Sequence, residues 1–132
     1  MPAKKIGPEF MVAETLVRKT WEFAVDGGAV GTVELFEADG DVVLTHFHAY
    51  VKTTCTSGGS ATVALGITGT TDLFVNTTEG AVANLTANAV LKPNALADLP
   101  TRLASGSKVL MTIGTAALTA GKIEVVVQYM AA

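Results

Sequence analysis

This chain of 132 residues has one cysteine, two histidines, four prolines and a single tryptophan. A lone Cys55 excludes an intramolecular disulfide framework, and two histidines offer little from which to build a catalytic or metal cluster. Aromatic residues make up 6% of the chain and charged residues only 16%. No apolar run reaches the ~18 residues that a membrane-spanning helix needs. No apolar signal segment opens the chain, so synthesis in the cytoplasm is the expectation. The net charge of −3 and the pI near 5.2 argue against nucleic acid as a partner, because holding a phosphate backbone takes an excess of Lys and Arg.

What is abundant is small and apolar. Hydrophobic residues reach 49%, glycines number 13, and the mean hydropathy is +0.44. The length fits one domain with a real core. The composition is more apolar than a lone monomer needs, which points to burial against other subunits or a larger assembly.

Residues 1–10, MPAKKIGPEF, show no periodicity and carry two prolines and a glycine. They read as part of an extended N-terminal arm over residues 1–18, ahead of one domain over 19–132. Glu9-Phe10 is the pair that an EcoRI site encodes and Met11 follows it, so a cloning remnant is the alternative to a native arm.

From Glu14 the pattern becomes strand-like, with the period of two expected of strands with one buried face. Trp21, Phe23 and Val25 alternate with Glu22, Ala24 and Asp26, and Asp26-Gly27-Gly28 is a turn signal. Thr32 to Phe36 is a second strand. Asp41 to Thr54 is the longest, with Val43, Phe47, Ala49 and Val51 on one face and His46, His48, Tyr50 and Lys52 on the other. Ala61 to Ile67, Asp72 to Val75, Ala87 to Leu91, Val109 to Ile113 and Lys122 to Met130 follow. Between Pro93 and Ser107 the alternation stops, and Asn94 is placed to cap one helical turn that Pro100 ends. Phe47, Val63, Leu65, Met111, Ile113, Val125 and Val127 are the expected core. The fold class is therefore all-β: a β-sandwich of about eight strands, of the jelly-roll kind, plus the arm.

The chemistry-bearing residues are few. His46 and His48 share a strand face and could share a zinc ion, but zinc takes three or four ligands, and the sequence places no third. They read as polar residues of an exposed or intersubunit face, and no metal is assigned. Cys55 reads as a small core residue, because nothing local supplies the base and oxyanion donor of a thiol hydrolase. Glu34, Glu37, Asp39 and Asp41 cluster around one turn, at a spacing that is not that of an EF-hand loop. No catalytic residue and no cofactor is assigned, and the chain is not expected to be an enzyme.

The phrases FAVDGGAVGTVEL, TSGGSATVALGITGTTDL and ALTAGKIEVVVQY, in that order across Lys19 to Tyr129, resemble a family of small tailed-bacteriophage virion proteins. Some of its members are capsid decoration, or cement, proteins. The resemblance implies a place on the capsid exterior of a virion, with the major capsid protein as partner. Self-association, as a homotrimer, suits local three-fold axes; neither nucleic acid nor a membrane is an expected partner, and the resemblance carries no catalytic residue. On that reading Lys4, Lys5, Arg18 and Lys19, an excess of positive charge near the N-terminus of an acidic chain, are the capsid-docking candidates. The alternative is a tail-fibre or spike domain that binds host-surface glycans.

Overall fold

The computed structural model describes residues 3–6, 15–93 and 99–132. Its strands are β1 (Lys4–Ile6), β2 (Thr15–Glu22), β3 (Gly31–Ala38), β4 (Val42–Ser57), β5 (Thr62–Ile67), β6 (Thr70–Val75), β7 (Val90–Leu91), β8 (Thr101–Leu103), β9 (Lys108–Gly114) and β10 (Leu118–Ala131). One helical turn, α1 (Phe23–Asp26), and a 3-10 turn over Val82–Asn84 complete the described elements.

The strands form two sheets, ordered β1-β3-β9-β5-β6 and β2-β10-β4-β7, with β8 also paired to β4. The molecule is an all-β sandwich. Its core is the set of inward side chains from both sheets, among them Trp21, Leu44, Phe47, Val51, Val63, Leu65, Phe74, Met111, Ile113, Val125 and Val127. All seven residues expected in the core are buried. Two-residue alternation specified them, because each sits on a strand with one face turned to the opposite sheet.

Three local features depart from the alternation. β2 ends at Glu22, just after the buried Trp21, and the chain then turns through α1, where Phe23 and Val25 stand exposed instead of continuing inward. Side chains close that turn. Asp26 Oδ2 accepts the Glu22 N–H at 2.9 Å, and Trp21 Nε1 donates to the Gly27 carbonyl at 3.1 Å. The turn signal at Asp26-Gly27-Gly28 thus reaches back to Phe23.

The second departure is a bulge in β4. Gln128 pairs with His46, but Tyr129 pairs with Leu44, so Thr45 is an extra residue. Its hydroxyl donates to the Gln128 carbonyl at 3.1 Å and fixes the bulge. A bulge shifts the facing of everything beyond it by one residue. Val42 and Leu44 are therefore buried along with Phe47, Ala49 and Val51, while Val43 is only half-buried.

The third lies at the start of β10, where the register against β4 slips repeatedly between Leu118 and Ile123. Gly121 has a φ of +134° there, and a Cβ at that position would meet Cys55 Sγ at 2.5 Å. Only glycine satisfies both conditions without displacing a neighbour.

The N-terminal part also differs from a free arm. Lys4–Ile6 pairs in parallel with Phe36–Ala38 on the edge of its sheet, and Ile6 is buried in the core. Thr15–Arg18 belong to β2 and pair with β10, within the span read as arm. The β1 pairing does not show in local periodicity, because it is three residues long and its partner lies far away in sequence. The short β8, inside the stretch from Pro93 to Ser107, was not expected either. The helical turn expected at Asn94 lies outside the described residues.

Candidate functional site

The sandwich presents two outer faces. On the β1-β3-β9-β5-β6 face the charges are matched directly. Lys5 Nζ donates to Glu37 at 2.5 Å, and Lys108 Nζ to Glu34 at 2.6 Å. The hydrogen bond from Lys5 holds the Glu37 carboxyl below its ordinary range, and that from Lys108 to Glu34 raises the ammonium of Lys108. These acids, which the sequence grouped around one turn, are thus tied to lysines. Asp41 of the same group receives Arg102 Nη2 at 2.5 Å and the Ser105 N–H at 2.9 Å.

The β2-β10-β4-β7 face is built differently. Pairing aligns Leu16, Gln128 and His46 in one row, Arg18, Val126 and His48 in the next, then Thr20, Glu124, Tyr50 and Val90. Val126 and Glu124, at the middle of the face, are 3% and 8% exposed. Arg18 approaches Glu124 at 3.8 Å and Lys52 approaches it at 3.4 Å. His48 packs edge-on against Tyr50 with ring centroids 5.0 Å apart. Burial lowers the His48 pKa from its ordinary value; the neighbouring His46 and Arg18 add to that, and Glu124 opposes it.

The four docking candidates are therefore split. Lys4 and Lys5 lie on β1 at the edge of one sheet, and Arg18 and Lys19 lie on β2 in the other. Arg18 sits on the outer face; Lys19 shares the inward side of β2 with Val17 and Trp21. The structure brings His46 and His48 onto one outer face, as the sequence indicated. Among the described residues no group of three or more His, Cys, Asp or Glu side chains is placed to hold a metal ion. Cys55 is buried, and burial pushes its thiol up to about 11.

What sequence reasoning missed is Glu124 as the centre of a charge cluster. Its partners Arg18 and Lys52 come from two different strands, and only the register of three strands brings them together.

Two hollows remain. One of about 290 Å³ is lined by Val75, Glu79, Asn84, Ala89, Val90, Leu91 and Lys92. The other, of about 350 Å³, is lined by Asp26, Thr32, Val33 and Glu34.

No protein-family model matches the chain, and no curated protein matches it in sequence. Solved structures do match in three dimensions. A chain of the capsid asymmetric unit of cyanophage Pam1 is similar with a TM-score of 0.63 at 13% identity, over 90% of this chain and 85% of that one. A chain from the acidic stable capsid structure of Helicobacter pylori bacteriophage KHP30 gives 0.62 at 13% identity, over 88% and 86%. A chain from the capsid of Ralstonia phage GP4 gives 0.62 at 16%, over 97% and 98%. At such identities the likeness establishes one thing: this chain shares its fold, nearly end to end, with chains of bacteriophage capsids.

Proposed function

We propose that this chain is a structural protein of a tailed-bacteriophage particle, a decoration or cement protein that binds the outside of the assembled capsid and stabilises it. The observation that carries the reading is the match to the Ralstonia phage capsid chain over 97% of one chain and 98% of the other. Coverage so nearly equal means two chains of about the same length, each spent almost wholly on this fold. The similar chains in the other two capsids are also matched over most of their length.

The strand order supports the jelly-roll reading. With β1 set aside, the orders β2-β10-β4-β7/β8 and β3-β9-β5-β6 are in keeping with the two Greek keys of a jelly roll. A subunit of this kind offers two broad sheet faces and loop-bearing ends for packing. Exposed apolar side chains at Leu16, Val25, Val30, Val90 and Met130 support self-association, as a homotrimer in this reading. The role is non-enzymatic.

The mechanism is mass action. A protein that binds only the closed, assembled shell lowers the free energy of that state and raises the cost of opening it. Many modest contacts per particle supply avidity without any one strong site. The major capsid protein is the partner.

The test is a reconstitution. Purified chain is added to particles that lack it, and the temperature of genome release is followed. Saturable binding with a rise in that temperature is expected. Failure to bind at micromolar concentration, or binding without any rise, would overturn the cementing role. A selective hit on a glycan array with no affinity for shells would favour the tail-fibre or spike reading instead.

A further inference from the structure

The two outer faces of the sandwich differ in how their charge is satisfied. On the β3 and β9 side, Lys5 and Lys108 are each bound directly to a carboxylate, Glu37 and Glu34. Among the described residues of the β2-β10-β4-β7 side, Arg18, Lys52 and Lys122 approach Glu22 and Glu124 at looser separations of 3.8, 3.4 and 3.5 Å, while Arg102 on β8 at the far edge is bound directly to Asp41. Among the described residues, these three cations against two carboxylates leave a positive excess around the middle of this face, in a chain whose net charge is −3.

A carboxylate as dehydrated as Glu124 is costly unless cations or donors attend it. Arg18 and Lys52 do so, yet their side chains stay 62% and 48% exposed. A guanidinium carries five N–H donors and an ammonium three, more than one distant carboxylate can occupy. Around this centre, Leu16, Tyr50 and Val90 are exposed apolar or aromatic surface, and Val126 is a buried apolar floor. A dehydrated middle, an Arg and a Tyr at hand, and a polar rim are the anatomy of protein–protein interfaces.

We propose that this face docks a carboxylate-bearing protein surface, with Arg18 and Lys52 as its charged anchors and Leu16, Tyr50 and Val90 as its apolar contacts. The proposal rests on the virion reading in naming the setting, which is another protein of the particle. Charge complementarity selects the occupant. A phosphate backbone fits poorly, because Glu124 stands at the centre and apolar groups interrupt the few cations. A second copy of the chain brought face to face by a two-fold axis would set the same positive excess against itself.

The experiment is lysine footprinting and carbodiimide cross-linking of the intact particle, with the free chain as reference. Lys52 should lose reactivity toward an acetylating reagent by at least fivefold in the particle, while Lys5 and Lys108 change less than twofold. Carbodiimide should join Lys52 to an Asp or Glu of a different protein. The proposal is overturned if Lys5 and Lys108 are protected while Lys52 stays reactive, a result that leaves the virion role standing. A Lys52 link confined to a second copy of this chain, or tight binding of the free chain to duplex DNA at 0.1 M salt, also overturns it. Absence of the chain from purified particles would instead remove the virion reading itself.

Discussion

Phe47 of β4 and Phe74 of β6 stack across the interior of the sandwich, one from each sheet, with ring centroids 4.3 Å apart and planes 19° from parallel. Both rings are buried, so the pair joins the two layers at a point where no backbone hydrogen bond can. Stacked pairs add about 0.5–1.5 kcal/mol beyond the area they bury.

Phe47→Ala removes that contact and leaves a cavity between the sheets. The expected loss is about 3–5 kcal/mol of stability, read from denaturant unfolding. A change below about 1 kcal/mol would mean that the ring does not bridge the sheets.

Ile6 gives the N-terminal segment a measurable role. Its side chain is 1% exposed and lies in the core, held there by pairing of β1 with β3. Ile6→Ala should cost about 2–4 kcal/mol. Unchanged thermal unfolding would show that residues 1–10 are passive and would favour the cloning-remnant reading.

These two residues mark the limits of what the sequence reveals. Phe47 was legible because it repeats every second position with Ala49 and Val51 on a long strand. Val63, Leu65, Val125 and Val127 were legible for the same reason. Ile6 was not, since a three-residue parallel pairing leaves no period to read. The Thr45 bulge was hidden too, because its cause is the Gln128 carbonyl on another strand. The local pattern at Trp21, Phe23 and Val25 was misleading, because Asp26 folds the chain into a turn that exposes two of the three. The charge cluster at Glu124 follows from register alone, and register is a property of the whole sheet.

Cys55 should behave as a core group. Its thiol is buried against Gly121, with a pKa pushed up to about 11 by desolvation. At pH 8 a disulfide reagent should react with the native chain far more slowly than with the unfolded one, because the thiolate is the reactive form. The sign for stability follows. The contribution is complete below the unfolded thiol's pKa of ~8.5 and is lost as pH rises toward about 11. Rapid native labelling at pH 8 would contradict this placement.

His48 should titrate below the ordinary histidine value, first because of burial and then because of His46 and Arg18. The native state then holds fewer protons than the unfolded chain. Its contribution to stability is present above pH ~6.5 and declines as pH falls through the lowered value. In an NMR titration, Arg18→Gln should move the His48 midpoint up, and Glu124→Gln should move it further down. Shifts in the opposite directions would show that the face is not arranged as described.

If the chain decorates the capsid as proposed, its copy number per particle must follow the capsid lattice. Quantitative mass spectrometry of purified virions should find it in hundreds of copies, in fixed ratio to the major capsid protein. A few copies to a few dozen would place it at the tail or a single vertex and contradict the decoration account.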